Sequence, residues 1–168
     1  HSFPTRRSSD LTISATKTLT AGSTVLVFAS TVSGGGVAFS GCSDDGGNTY
    51  TERITETQSA PNLETTLYVA ENVASGSTTI TVSGLGGYLG ELHVFELVGA
   101  STSGSFDAVD SFEQAVTSVY AAQAAGITVT AGATALAFYV GDRDLTALSA
   151  SGYTAGTTSS AAGGAIYF

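Results

Sequence analysis

The feature that most restricts the fold of this chain is its punctuation. Short apolar runs are broken every few residues by Gly, Ser, Asn and Asp, and no long amphipathic stretches lie between them. Such spacing predicts strands joined by turns. The expected strands fall at residues 11–17, 23–30, 36–41, 49–57, 64–70, 77–83, 88–98, 106–113, 126–130, 133–140 and 162–168. Thr and Val suit a pleated surface, and both are abundant. Runs such as Val25-Leu26-Val27-Phe28 are apolar at consecutive positions, so both faces need cover and the strand belongs in the middle of a sheet. The expected class is all-β: a two-sheet antiparallel β-sandwich, jelly-roll-like or Ig-like. One segment also fits helical spacing, through Phe112, Val116, Val119 and Tyr120. It lacks clear caps and is read as strand or irregular structure. A faint repeat is present as well. Thr20-Ala21-Gly22-Ser23-Thr24-Val25-Leu26-Val27-Phe28 recurs as Thr130-Ala131-Gly132-Ala133-Thr134-Ala135-Leu136-Ala137-Phe138, each copy a Gly turn feeding an apolar run.

Residues 1–11 stand apart. His1-Ser2-Phe3-Pro4-Thr5-Arg6-Arg7-Ser8-Ser9-Asp10-Leu11 resembles the in-frame translation of a short-read sequencing adapter, and it is expected to be non-native. The chain stops within a strand-like run, Ala165-Ile166-Tyr167-Phe168. The expectation is therefore a single β-sandwich domain over residues 12–168, truncated at both ends.

Charge excludes whole classes of partner. Without the first eleven residues, Lys17, Arg53 and Arg143 face thirteen carboxylates, a net charge of about −10. No basic patch can form to neutralise phosphates or anionic lipid, so neither nucleic acid nor a membrane surface is an expected partner. No stretch is long and apolar enough to span a bilayer. Cys42 is the one cysteine; it is read as a small buried apolar residue. A Thr/Ser-rich, acidic, Lys-poor composition is typical of secreted surface proteins.

Several of these segments together resemble a family of secreted jelly-roll-like β-sandwich domains from bacterial surface proteins and phage-associated proteins. The marks are Ala21-Gly22 before Val25-Leu26-Val27-Phe28, then Asp45-Gly46-Gly47-Asn48-Thr49-Tyr50-Thr51. Tyr68-Val69-Ala70-Glu71-Asn72-Val73 and Thr79-Ile80-Thr81-Val82 follow. Leu92-His93-Val94-Phe95-Glu96-Leu97-Val98-Gly99 and Ser105-Phe106-Asp107 complete the set. The resemblance implies a non-catalytic extracellular module, often part of a longer chain.

Chemistry-bearing residues are sparse. His93 is the one His outside the adapter-like run and no G-x-S-x-G elbow occurs, so a nucleophilic hydrolase is not expected. One His and one Cys do not make a zinc set. Calcium needs oxygens alone. Its candidates are Asp44, Asp45 and Asn48 in one Gly-rich loop and Asp142 and Asp144 in another, although neither loop has EF-hand spacing. Asp and Asn are also common turn formers, and that reading is preferred. Gly84-Leu85-Gly86-Gly87 precedes a strand and no Gly-Lys-Ser/Thr follows, which excludes a phosphate loop. Among the acids Glu96 is the one of interest. On a strand it shares a face with Leu92, Val94 and Val98, while Glu91, His93, Phe95 and Leu97 line the other. Apolar neighbours would raise its pKa unless hydrogen bonds hold the charged form. It is the candidate buried acid.

The functional expectation is a non-enzymatic, cofactor-free, extracellular module with a structural or adhesive role, on a cell surface, in a filament or on a virion. Its partners would be further copies of itself or neighbouring domains of a longer chain. Strand addition at the sheet edge expected near residues 165–168 would join them. The alternative is a carbohydrate-binding module that stacks a glycan on exposed aromatics, with Tyr88 and Tyr153 beside Gly-rich turns as the candidates.

Overall fold

The computed structural model describes residues 11–32, 39–58, 63–85, 90–107, 109, 131, 133–134, 136, 139–141, 159–161 and 164–167. The described residues are all-β and contain no helix. The chain falls into two compact units, His1–Ile127 and Thr128–Phe168.

The first unit holds β1 (Thr12–Leu19), β2 (Thr24–Val32), β3 (Gly41–Asp44), β4 (Thr51–Gln58), β5 (Leu63–Ala70), β6 (Gly76–Ser83) and β7 (Gly90–Leu97). They form two antiparallel sheets, one in the order β1-β6-β3 and the other β4-β5-β2-β7. The sheets stack as a β-sandwich, and alternation along each strand explains why.

In β1, Ile13 and Leu19 point inward while Thr12, Ser14, Thr16 and Thr18 are exposed. In β6, Thr78, Ile80 and Val82 are buried, and Thr79 and Thr81 face outward beside β1. Ser14 and Thr81 share a hydroxyl hydrogen bond of 2.9 Å across that outer face. From the facing sheet, Val25, Val27 and Ala29 of β2, Tyr68 and Ala70 of β5, and Leu92 and Val94 of β7 close the core. Ile80, Val82, Val25 and Val27 are fully buried. Each contributes roughly 1.5–3 kcal/mol of apolar burial.

The doubly apolar run in β2 is central, hydrogen-bonded to β5 on one side and β7 on the other. Its second face is buried too, with Leu26 and Phe28 only 5% and 7% exposed. The Phe28 ring packs edge-on to Phe95, centroids 6.3 Å apart.

The second unit holds β8 (Tyr139–Gly141), β9 (Ser159–Ala161) and β10 (Gly164–Tyr167), ordered β8-β10-β9 and antiparallel. This arrangement corrects the expected free edge at residues 165–168. Ile166 pairs with Val140 on one side and Ser159 on the other, so β10 is the middle strand.

Other expectations also shift. Of the strand expected at 36–41, the described residues Phe39 and Ser40 lie outside any strand, and β3 runs from Gly41 on to Asp44. Phe39 lies outside it because its amide donates to the Glu64 carboxylate at 2.8 Å rather than to a ladder. Phe106 and Asp107 are not strand either, because the Ser105 and Phe106 amides go to a side chain. The repeat is unequal. Its first copy turns at Ala21-Gly22 into β2, but in the second Ala133, Thr134 and Leu136 lie outside any strand and β8 starts at Tyr139. The helix-compatible segment near Phe112 lies outside the described residues.

Candidate functional site

Four acids of the first unit that bind backbone amides, Asp44, Asp45, Glu71 and Glu96, gather at one end of the sandwich, while Glu64, paired with Thr31, lies toward the other. Register defines that end: Leu19 pairs with Gly76, Thr24 with Leu97, and Val25 with Ala70. The turn at residues 20–23 therefore lies beside the segment after β5 and the exit of β7. Gly22 takes a positive φ of 77° in this turn, a conformation that costs glycine little. Its amide donates to the Val73 carbonyl at 2.9 Å, and the Val73 amide returns a bond to the Ser23 carbonyl at 3.1 Å.

Glu96, half-buried near the end of β7, aims Oε1 into this turn. It accepts the Thr20 amide at 2.6 Å and the Ser23 hydroxyl at 2.8 Å. Desolvation draws its pKa upward, but the hydrogen bonds from Thr20 and Ser23 and the charge of Lys17 outweigh that and hold it below the usual carboxylate value. The candidate buried acid is thus an ionised group bound to backbone. That state does not suit a general acid at neutral pH.

Glu71 performs the same task for a different segment. Its Oε1 accepts the Ser105 amide, the Ser105 hydroxyl at 2.6 Å and the Phe106 amide at 3.1 Å. The Ser105 hydroxyl also meets Thr24 Oγ1 at 2.7 Å, tying the segment to β2. The Ser105 hydrogen bonds chiefly lower the Glu71 pKa. A bulge between Glu52 and Ile54 makes Arg53 the extra residue of β4, and its guanidinium lies 5.0 Å from the Phe106 ring centroid.

The structure brings Asp44, Asp45 and Asn48 together, with Asp44 as the last residue of β3 rather than in the loop. Asp44 Oδ1 accepts the Asn48 amide at 2.9 Å, and Oδ2 accepts Asn48 Nδ2 at 2.7 Å and the Tyr50 hydroxyl at 2.9 Å. Burial pulls the Asp44 carboxyl up, yet the bonds from Asn48, Tyr50 and Gly47 bring it below its ordinary value. Asp45 accepts the Thr79 amide at 2.7 Å, and Asn48 Oδ1 accepts the Ala74 amide at 2.7 Å. These contacts commit the oxygens to turn geometry. Asp44→Ala is expected to cost about 1–3 kcal/mol, because it strands partly buried donors of Asn48 and Tyr50. A urea titration against the parent chain measures this.

Glu64 is the acid that reasoning from sequence missed most plainly. It is 3% exposed in β5, and burial raises its pKa, with the Phe39 amide opposing and the charge of Glu52 adding to the rise. Its only signal is its place in Leu63-Glu64-Thr65-Thr66-Leu67-Tyr68-Val69-Ala70, where the strand is buried on both faces. Cys42 is half-buried against the core; desolvation and then Asp44 push its thiol up to about 12, far from a reactive thiolate. His93 lies mid-strand in β7, with Nε2 3.6 Å from Glu91 Oε2.

Two further tyrosines, Tyr50 and Tyr68, turn to the interior. Tyr50 packs on the core and donates to Asp44, while Tyr68 is 3% exposed, its hydroxyl raised to about 12 by burial. Tyr88, Tyr153, Asp142 and Asp144 lie outside the described residues. Among the described residues no group of three or more His, Cys, Asp or Glu side chains is placed to hold a metal ion. Comparison with protein-family models, curated proteins and solved structures gave no match.

Proposed function

We propose that the chain is a non-catalytic β-sandwich module with a structural or adhesive role outside the cell, on a cell surface, in a filament or on a virion. One observation carries this reading. Asp44, Asp45, Glu64, Glu71 and Glu96 each turn a carboxylate oxygen onto a backbone amide of another segment or turn. These five carboxylates are committed to holding turns and segments in place, which suits a rigid spacer or scaffold. The likeness of the Gly-turn and strand motifs to secreted jelly-roll-like domains supports the extracellular placement. Its partners are further copies or neighbouring domains of a longer chain.

The test is turnover. Purified chain incubated with a polysaccharide and peptide-ester panel is expected to release no product. Turnover that disappears in Glu96→Gln would contradict the reading. Saturable retention on a glycan array would instead favour a carbohydrate-binding module.

A further inference from the structure

We propose that the first unit resists tension applied between Leu11 and Phe106, because that path loads β1 and β7 in shear. The proposal rests on the structural-module reading and gives it a mechanical content.

The geometry follows from register. β1 starts where Thr12 pairs with Ser83 and ends where Leu19 pairs with Gly76. β7 starts where Gly90 pairs with Thr31 and ends where Leu97 pairs with Thr24. The turn at residues 20–23 joins Leu19 to Thr24, so Leu19 and Leu97 share one end of the sandwich. β1 and β7 therefore run in the same direction, one at an edge of each sheet. Among the described residues the path begins at Leu11, before the start of β1, and runs to Asp107, beyond the end of β7, so its two ends lie at opposite ends of the strands. An eight-residue strand separates those ends by about 26 Å.

Force applied at these two points acts along the strands. β1 must slide past β6, and β7 past β2, so all the ladder bonds of a pair resist together. Force applied across the strands at one end would instead open the ladder one pair at a time. The same bonds then yield at far lower force, because each is loaded alone.

Both ends of this path are also fastened before the ladders are reached. At the entrance the Leu11 carbonyl accepts the Gly84 and Leu85 amides at 3.1 and 3.2 Å. At the exit Glu71 grips the Ser105 and Phe106 amides, with Arg53 over the Phe106 ring. Glu71 directly follows β5, which runs parallel to β7 and is hydrogen-bonded to both β2 and β4. Tension arriving at Phe106 is thus delivered first to an interior strand rather than to the edge strand β7. The slack of residues 98–104 is released only when that grip fails.

Single-molecule pulling on the full 168-residue chain tests this. Handles are attached through Thr12→Cys and Asp107→Cys for the shear direction, and through Thr12→Cys and Ser40→Cys for the crosswise direction. Both are made in a Cys42→Ala background, and equal urea midpoints establish that each is folded. The shear pair is expected to unfold at severalfold higher force than the crosswise pair. Adding Glu71→Gln to the shear pair is expected to lower the force of the first, small extension. Equal unfolding forces in the two directions would overturn the proposal while leaving the non-catalytic reading intact. Turnover in the substrate panel would remove that reading without altering the directional difference.

Discussion

Ile80→Ala is expected to lower the unfolding free energy by about 2–5 kcal/mol, the range for deleting a branched side chain from a close-packed core. Ile80 is fully buried in β6 and belongs to the cluster formed with Val25 and Val27 of the facing sheet. Truncation removes apolar burial and leaves a space between two layers of ladder that are held by their hydrogen bonds and cannot close freely. Thr12→Ala, on the exposed outer face of β1, is the matched control and is expected to change stability by less than about 0.5 kcal/mol. Urea titrations of the three proteins, compared at constant m-value, measure both. Against a typical domain stability of about 5–15 kcal/mol, the Ile80 effect is a substantial part of the whole.

Acidification is expected to have the next largest effect, and its sign follows from linkage. Asp44, Glu71 and Glu96 have folded pKa values below their unfolded ones. Each therefore contributes stability that is fully present above the unfolded value, near about 4, and is lost as pH falls through the folded value. Glu64 acts in the opposite sense. Its raised folded pKa favours the native state when protonated, so its contribution is fully present below the unfolded value and is lost as pH rises through the folded one. Glu64 gains as pH falls through its raised value while the three depressed groups keep their full contribution, so the urea midpoint should hold or rise slightly from pH 7 to 5 and drop between 5 and 3. The Glu71→Gln, Glu96→Gln double variant should start lower at pH 7 and show a shallower drop. A midpoint that still rises below pH 5 would mean that the buried Glu64 outweighs the other three.

Periodicity alone makes the layers of the first unit legible in the sequence. The two-sided run at Val25-Leu26-Val27-Phe28 implies a central strand, and β2 lies between β5 and β7. The alternation around Glu96 puts it on the face of Leu92 and Val94, which is the core-facing side of β7. What stays hidden is contact between distant segments. Glu71 meets Ser105 and Phe106 across more than thirty residues, and Glu64 meets Phe39 across 25. No local pattern announces such a bond. The same cause misplaces the strand expected at Phe106, since its amide is taken by a carboxylate. The edge expected at residues 165–168 fails for a related reason. Period-2 alternation reports that a segment can be strand but not how many neighbours it finds, and β10 finds two.

Two pleated layers meet through their apolar faces, and methyl-to-methyl NOEs measure that meeting directly. In a sample labelled at Ile and Val methyls, Ile80 and Val82 of one sheet should show cross-peaks to Val25 and Val27 of the other. Cross-peaks confined to residues within each sheet, with none between Ile80 or Val82 and β2, would contradict the sandwich.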